Sequence, residues 1–294
     1  MQILDGKLIS EKIKAQIAVE VKSTMLDVGK KTPHLAAVLV GEDPASQTYV
    51  ASKEKDCKEV GFISSVYKYD ASITQGKLLE VIRFLNKDPE IDGFIVQLPL
   101  PKHIDERVII GNIDPAKDVD GFHPVNLGRM VLNMPSYLPA TPYGIVTLLG
   151  EYGIETQGKN CVILGRSHIV GTPLSILLSR KSKTGNATVT LCHSQTKNIG
   201  KIAASADILI VAMGKQEFVT TDMVKNDAVV VDVGIHRIPD AETKSGFKLI
   251  GDVKFDEVAK KCSYITPVPG GIGPMTRVSL LLNALKAAKK EIQF

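Results

Sequence analysis

Apolar residues at Ile9, Ile13, Ile17 and Val21 return every four positions between residues 8 and 25, which puts them on one side of an α-helix that Gly29 closes. Residues 35–40 form an unbroken β-rich run ending at Gly41, the pattern of a strand buried on both faces. Asp43 and Pro44 supply an N-cap and a first helical residue, opening a helix to about Val60. Residues 65–69 and 93–97 read as further strands, separated by a helix carrying Leu78, Leu79, Ile82 and Leu85 on one face. Strand, helix and strand in alternation imply a mostly parallel sheet.

Pro99, Pro101, Pro115, Pro124 and Pro135 then break the pattern, so residues 99–139 read as loops near a ligand cleft with short helices. Thr141 and Pro142 open a helix through Leu149, and parallel logic resumes with strands at 161–164, 188–192, 208–211 and 229–233. Four short strands with crossovers amount to a Rossmann-like domain. On the last helix Val278, Leu281, Leu282 and Leu285 form a stripe that packs back on the first domain. The expected fold is α/β with two domains and a cleft between them: a discontinuous N-terminal domain of residues 1–140 completed by 275–294, and a Rossmann-like domain of 141–274.

The chain centres on the turn within residues 160–178, NCVILGRSHIVGTPLSILL. An apolar strand stops at Gly165 and helical spacing restarts at Gly171, the place where α/β proteins seat phosphates on helix N-terminal amides. The segment lacks the second glycine of G-x-G-x-x-G and spaces its outer glycines one residue further apart, so by itself it also fits an ordinary turn needing Gly165 for positive φ.

Composition narrows the class. The 294 residues are 44% hydrophobic and 23% charged, as in a globular protein with more than one core. No apolar run approaches the ~20 residues of a membrane span, and Asp5 and Lys7 stand where a signal peptide needs an apolar segment, so the expected location is cytoplasmic. The net charge of +4 is scattered, which argues against nucleic acid as a partner. Cys57, Cys161, Cys192 and Cys262 are far apart, without the spacing of a metal site or a disulfide framework.

Several side chains carry candidate chemistry. Where a Rossmann domain usually ends its second strand with an acidic residue for the ribose, this chain has Cys192, His193, Ser194, Gln195 and Thr196. Without that carboxylate, Arg166 and Ser194 are free to bind a 2′-phosphate, which favours NADP over NAD; Arg166 alone also reads as a solvated loop cation. Tyr49 and Lys53 share a helix face at i and i+4. A desolvated lysine can move protons near neutrality, whereas the bare pair reads as a solvated face. Short-chain dehydrogenases use the same spacing, but after the glycine turn and not before it. Gln97 ends an apolar strand, either at a ligand site or capping its own loop. Asp118 and Asp120 offer too few oxygens for calcium; one of them can hold an aminopyrimidine-like edge, or both can cap turns. His123 reads as structural. The segment 267–274, PVPGGIGP, is a rigid path with unusual φ values that suits close approach to a flat ring.

These motifs together resemble the bifunctional methylenetetrahydrofolate dehydrogenase/methenyltetrahydrofolate cyclohydrolases. The resemblance rests on TYVASKEKDCKEVGF at 48–62, DGFIVQLPLP at 92–101, KDVDGFHPVNLGRM at 117–130, GRSHIVGTP at 165–173 and TPVPGGIGPMTR at 266–277, which span nearly the whole chain in order. It implies a catalytic N-terminal domain with Lys53 central and Tyr49 and Gln97 beside it. Asp120 would hold the folate pterin, with Pro269, Gly270 and Gly271 flanking the substrate. Gly165, Arg166, Ser167, Gly171, Ser194, Thr141 and Ile235 would bind NADP. It further implies oxidation of 5,10-methylenetetrahydrofolate, hydrolysis to 10-formyltetrahydrofolate and a homodimer; the cysteine spacing and apolar-run lengths given above add the expectation of no metal and no membrane partner. One departure is the polar connection 180–186 near the adenosine side, which bears on NADP selection. The alternatives are a monofunctional dehydrogenase of this family, another two-domain Rossmann dehydrogenase, and a non-catalytic dinucleotide sensor.

Overall fold

A computed structural model of the chain describes residues 1–23, 31–243 and 246–294. The expected helix closure at Gly29 lies outside the described residues. The chain divides into two compact units, Met1–Ser10 with Thr141–Thr276, and Glu11–Ala140 with Arg277–Phe294.

In chain order the elements are β1 (Gln2–Ile3), α1 (Gly6–Val21), β2 (His34–Val40), α2 (Pro44–Glu59), β3 (Ile63–Tyr69), α3 (Gln75–Lys87) and β4 (Gly93–Val96). Three helices follow: α4 (Glu106–Ile110), α5 (Pro124–Val131) and α6 (Ala140–Glu151). Then come β5 (Asn160–Leu164), α7 (Gly171–Ser179), β6 (Thr188–Cys192), α8 (Ile199–Ala203), β7 (Ile208–Val211) and β8 (Val229–Asp232). The chain ends through β9 (His236–Pro239), β10 (Phe247–Ile250), α9 (Phe255–Val258), β11 (Tyr264–Ile265) and α10 (Ile272–Ala288).

The unit containing residues 141–276 is built on a six-stranded parallel sheet in the order β1-β11-β8-β7-β5-β6. Patterning finds β5 to β8 but not β1 and β11, since two-residue strands carry no period. It also misses the antiparallel hairpin of β9 and β10. The core is aliphatic, with Val162, Leu164, Leu209, Val211, Val230 and Ile265 all at zero exposure. Register aligns Leu164 with Cys192 and Val211, and Val211 with Asp232, so four strands end in one row. The order reverses at β5, with β6 on one side and β7 on the other, and ligands of α/β sheets bind beyond such a switch point.

The unit containing residues 11–140 has a three-stranded parallel sheet in the order β3-β2-β4. The central strand β2 is buried along all but its first residue, as its unbroken apolar run requires. α3 packs Leu78, Ile82 and Leu85 into the same core as Ala36, Val38, Phe94 and Val96. Residues 117–119 run alongside β4, with Phe94 N–H donating to Lys117 O at 3.0 Å. Gly93 is needed there because a Cβ would stand 2.3 Å from Val119 Cγ1.

Candidate functional site

Within the unit of residues 11–140, α2 buries Ser46, Val50, Lys53, Asp56 and Cys57, a buried stripe that is mostly polar. Asp43 fixes its start by accepting from Ser46 N–H at 2.7 Å, with Pro44 in the first turn. Lys53 is only 7% exposed. Its Nζ donates to Gln97 Oε1 at 3.1 Å and lies 4.7 Å from the centre of the Tyr49 ring. Gln97 follows β4 and is held from its other end, its Nε2 donating to Leu98 O at 2.7 Å. The structure therefore brings Tyr49, Lys53 and Gln97 together.

Of the two aspartates, Asp118 is committed to the turn. Asp118 caps the turn, accepting from His123 N–H at 2.7 Å, Phe122 N–H at 3.3 Å and Asn126 Nδ2 at 2.9 Å. Burial pushes its carboxyl up to about 7. His123 is structural, its Nδ1 accepting from Val125 N–H at the start of α5. Among the described residues no hydrogen bond or ion pair engages the Asp120 carboxylate, while its backbone O accepts from Ala140 N–H at 3.2 Å. The neighbouring Gly121 has φ +74, and a Cβ there would meet Leu138 C at 2.6 Å. Asn283 on α10 ties this segment down by donating to Val119 O and Leu138 O at 2.9 and 2.8 Å.

Charges and burial set the protonation balance. Burial lowers the Lys53 pKa from its ordinary 10.5, and Arg277 pushes the same way, while Asp120 and Cys57 oppose them. Burial likewise raises the Asp120 carboxyl, with Lys53 opposing. Both shifts favour the uncharged forms of a lysine and carboxyl pair. Cys57 is pushed up to about 12 by burial and is a thiol at neutral pH.

The structure adds Asp56, Lys14 and Arg277 to the residues around this helix. Asp56 is 5% exposed and accepts from Lys14 Nζ at 3.2 Å and Arg277 Nε at 2.5 Å. Its spacing of three from Lys53 on α2 is the signal that was available; the partners lie 42 and 221 positions away. Asp56→Ala is expected to cost about 3 kcal/mol in urea unfolding, because it strands a partly buried guanidinium. An unchanged midpoint would remove this ion pair as a structural element.

Within the unit of residues 141–276, the turn after β5 is defined by two glycines. Gly165 has φ +117 and a Cβ on it would sit 2.1 Å from Ala212 O, while one on Gly171 would sit 1.9 Å from Gly165 O. The sequence requirement for Gly165 is thus both conformational and spatial. Ser167 Oγ accepts from Val170 N–H at 3.1 Å, and Thr172 Oγ1 donates to Arg166 O at 3.1 Å. Arg166 and Ser167 are exposed, and Val170 at the N-cap of α7 makes no side-chain cap bond. No side chain caps α7, but Thr172 N–H already donates to Ser167 O at 3.0 Å and Pro173 has no N–H, so what suits the turn to a dinucleotide is the close backbone approach that Gly165 and Gly171 allow.

The other expected cofactor residues belong to the same unit. Ser194 is exposed after β6, in a turn where His193 N–H donates to Thr196 Oγ1 at 2.9 Å. Thr141 and Thr276 share a hydroxyl hydrogen bond at 3.0 Å, and Ile235 is exposed after β8. Pro269 follows a cis peptide, and Gly270 has φ +106. Gly271 has no room for a Cβ, which would meet Pro267 O at 2.6 Å.

A Rossmann-type unit with a glycine turn at its switch point, and an α/β unit that buries a lysine among polar partners, place the chain among the nucleotide-binding α/β proteins. Family models narrow this. The one described as "Tetrahydrofolate dehydrogenase/cyclohydrolase, catalytic domain" matches residues 4–120, and "Tetrahydrofolate dehydrogenase/cyclohydrolase, NAD(P)-binding domain" matches residues 139–292. A relative from Cytophaga hutchinsonii, "Bifunctional protein FolD", is 62% identical over 98% of this chain and 99% of its own. The solved bifunctional FolD enzyme of Campylobacter jejuni is 47% identical, with a TM-score of 0.92 over 99% of this chain and 100% of that one. The Trypanosoma brucei FolD structure, complexed with NADP cofactor and inhibitor, is 35% identical, with a TM-score of 0.92 over 99% of this chain and 98% of that one. The chain belongs to the tetrahydrofolate dehydrogenase/cyclohydrolase family.

Proposed function

We infer that this enzyme oxidises 5,10-methylenetetrahydrofolate to the 5,10-methenyl form with NADP and hydrolyses that product to 10-formyltetrahydrofolate. The observation that carries the reading is the buried Lys53 amine, hydrogen-bonded to Gln97 at 3.1 Å and shifted toward its neutral form. Family membership supports both halves of the activity.

Gly165, Arg166, Ser167, Gly171, Ser194, Thr141 and Ile235 would hold NADP, which supplies a hydride acceptor when bound. Hydride departure from a carbon between two nitrogens is pushed by a nitrogen lone pair, so this step asks the protein for positioning more than for acid or base. Asp120 holds the aminopyrimidine edge of the pterin, and Pro269, Gly270 and Gly271 border the substrate. Hydrolysis does need a base. Lys53 takes a proton from water as the oxygen bonds to the methenyl carbon, giving a neutral carbinolamine and an ammonium. The carbon–nitrogen bond then breaks, the nitrogen gains a proton as the hydroxyl loses one, and Lys53 returns its proton to solvent. Gln97 and the Tyr49 ring keep the amine aimed.

Mixing protein, methylenetetrahydrofolate and either cofactor without oxygen, and reading reduced cofactor and methenyl product separately, tests the reading. NADPH formed without build-up of methenyl product is the expected result. Build-up would leave a dehydrogenase alone, and no turnover with either cofactor would overturn the enzyme. Arg166→Ala is expected to raise KM for NADP about 10- to 100-fold and leave that for NAD unchanged, since a charge-assisted contact to the 2′-phosphate is lost. Equal effects on both cofactors would remove Arg166 from that role.

The reading includes a cytoplasmic homodimer with no nucleic-acid partner. β6 ends the six-stranded sheet with no outer strand among the described residues, an edge open to a second copy. A sedimentation mass of one chain would reject the dimer. All four cysteines are free and buried, in keeping with a reducing compartment, and recovery in a secreted fraction would contradict that location. No helix among the described residues is long and apolar enough to cross a membrane.

A further inference from the structure

Two carboxylates are buried together at the C-terminal edge of the six-stranded sheet, Asp232 closing β8 at 3% exposure and Asp252 just after β10 at 0%. Neither pairs with a lysine or arginine among the described residues, so hydrogen bonds must offset their burial. Asp232 Oδ1 accepts from Gly234 N–H at 2.9 Å and Asp252 N–H at 3.0 Å, and its Oδ2 from Val253 N–H at 2.9 Å. Asp252 Oδ2 accepts from Met213 N–H at 2.7 Å and Gly214 N–H at 2.9 Å, and its Oδ1 from His236 Nε2 at 2.7 Å. A carboxylate only accepts, so the imidazole proton sits on Nε2. The fit is close: a Cβ on Gly234 would stand 2.4 Å from Asp252 Cγ, and one on Gly251 would stand 1.9 Å from Asp232 Oδ2. The Asp252 side chain thus ties the loop after β7 to the start of the hairpin of β9 and β10, and Asp232 ties both to the end of β8.

The place of this bracket gives it a use. β7 and β8 lie on the side of the switch point away from β6, and a dinucleotide laid across such a point puts one nucleotide half on each side. Arg166 and Ser194, proposed for the 2′-phosphate, put the adenosine half toward β6, which leaves the nicotinamide half to β7 and β8. Ala212 O, at the head of the loop that Asp252 holds, is the atom that a Cβ on Gly165 would meet at 2.1 Å. Ile235, proposed for the cofactor, is the residue before His236. Past Gly214 the main chain takes over, Glu217 and Val219 N–H donating to Gly251 O and Asp252 O at 3.1 and 3.0 Å. At Met213 and Gly214, nearest the glycine turn, the carboxylate is the acceptor instead.

We propose that Asp252 and His236 are positioning residues for hydride transfer: they hold in register the two loops, at Met213–Gly214 and at Ile235, that border the nicotinamide half of NADP. The proposal rests on the reading of this unit as the NADP site. What it asks of the pair is orientation, not proton transfer, and a misplacement of about 1 Å can slow a positioned reaction about 100-fold.

The test compares the full-length enzyme with His236→Ala and His236→Gln in alkaline buffer, well above the value of about 6 to which burial pushes the Asp232 carboxyl. In His236→Ala the single-turnover rate of hydride transfer from methylenetetrahydrofolate to NADP is expected to fall about 10- to 100-fold. Adenosine 2′,5′-bisphosphate, which probes the adenosine half alone, is expected to keep its Kd within about twofold, and hydrolysis of methenyltetrahydrofolate its rate. Without cofactor, amide hydrogen exchange at Met213 and Gly214 is expected to quicken about tenfold as Asp252 loses its outer anchor. His236→Gln, whose amide can donate to Asp252, is expected to restore most of the rate and the slow exchange. A parental hydride-transfer rate or unchanged exchange in His236→Ala, or a loss that His236→Gln does not repair, would overturn the proposal. So would an equal loss of affinity for the bisphosphate, which would make the bracket a support of the whole unit. If the parent enzyme binds neither the bisphosphate nor NADP, the cofactor reading fails and this proposal with it; if the parent binds both and the variants transfer hydride at its rate, this inference alone fails.

Discussion

Lys53→Met is expected to abolish hydrolysis of methenyltetrahydrofolate, a loss of at least 10²–10⁴-fold for the removal of a positioned base, while NADP affinity stays as it is. The residues proposed for NADP lie in the unit of residues 141–276, and Lys53 lies in the other. Methionine keeps most of the lysine volume, so the buried face of α2, which also carries Val50 and Cys57, stays filled. The change leaves Gln97 Oε1 without its donor, yet Gln97 Nε2 is still anchored on Leu98 O. Burial disfavours the ammonium, so removing it is expected to leave the urea midpoint unchanged or higher. In the parent enzyme the lowered lysine pKa means that the amine appears below pH 10.5, and hydrolysis rises with pH through that lowered value. Undiminished hydrolysis in the folded variant would refute the assignment; loss of NADP binding together with hydrolysis would point to unfolding.

Gly171→Ala is the second large effect. A single methyl there would stand 1.9 Å from Gly165 O, 2.6 Å from Gly165 C and 3.1 Å from Arg166 Cα, all backbone atoms of the turn itself. No rotamer can relieve the clash, so α7 must withdraw from the turn or the turn must open. Opening is blocked on the far side, because Gly165 is already packed against Ala212 O. The expected loss is on the order of 3 kcal/mol in unfolding, with NADP affinity down at least about tenfold by fluorescence titration. A parental affinity and urea midpoint would show that the turn is softer than this packing implies.

The same turn shows what a linear reading can and cannot reach. Gly165 was legible as a strand stop, and its φ of +117 agrees with that reason. The stronger constraint at Gly171 comes from Gly165 O folding back over it, which no spacing rule contains. α2 was legible from Asp43 and Pro44, but its buried stripe of Ser46, Lys53, Asp56 and Cys57 has no apolar period, because the helix turns its chemistry inward. Tyr49 and Lys53 at i and i+4 therefore read as a solvated face on spacing alone, and only the family motifs mark them as more. Asp118 and Asp120 were indistinguishable in the sequence; three donors converging on Asp118 separate the turn cap from the residue proposed for the pterin.

The sequence by itself determined the parallel α/β character, the main strands and helices, the glycine break between β5 and α7 and, through its spaced motifs, the family. Those features depend on local preferences and on which residues stand at short separations. Tertiary structure alone decided that β1 joins β11 at the edge of the six-stranded sheet, that Lys53 is buried against Gln97, and that Asp56 binds Arg277 from 221 positions away. These depend on desolvation and on contacts made when distant segments meet. The charge state proposed for the catalytic amine is of this second kind, because a lysine's proton affinity is set by the groups that surround it in space.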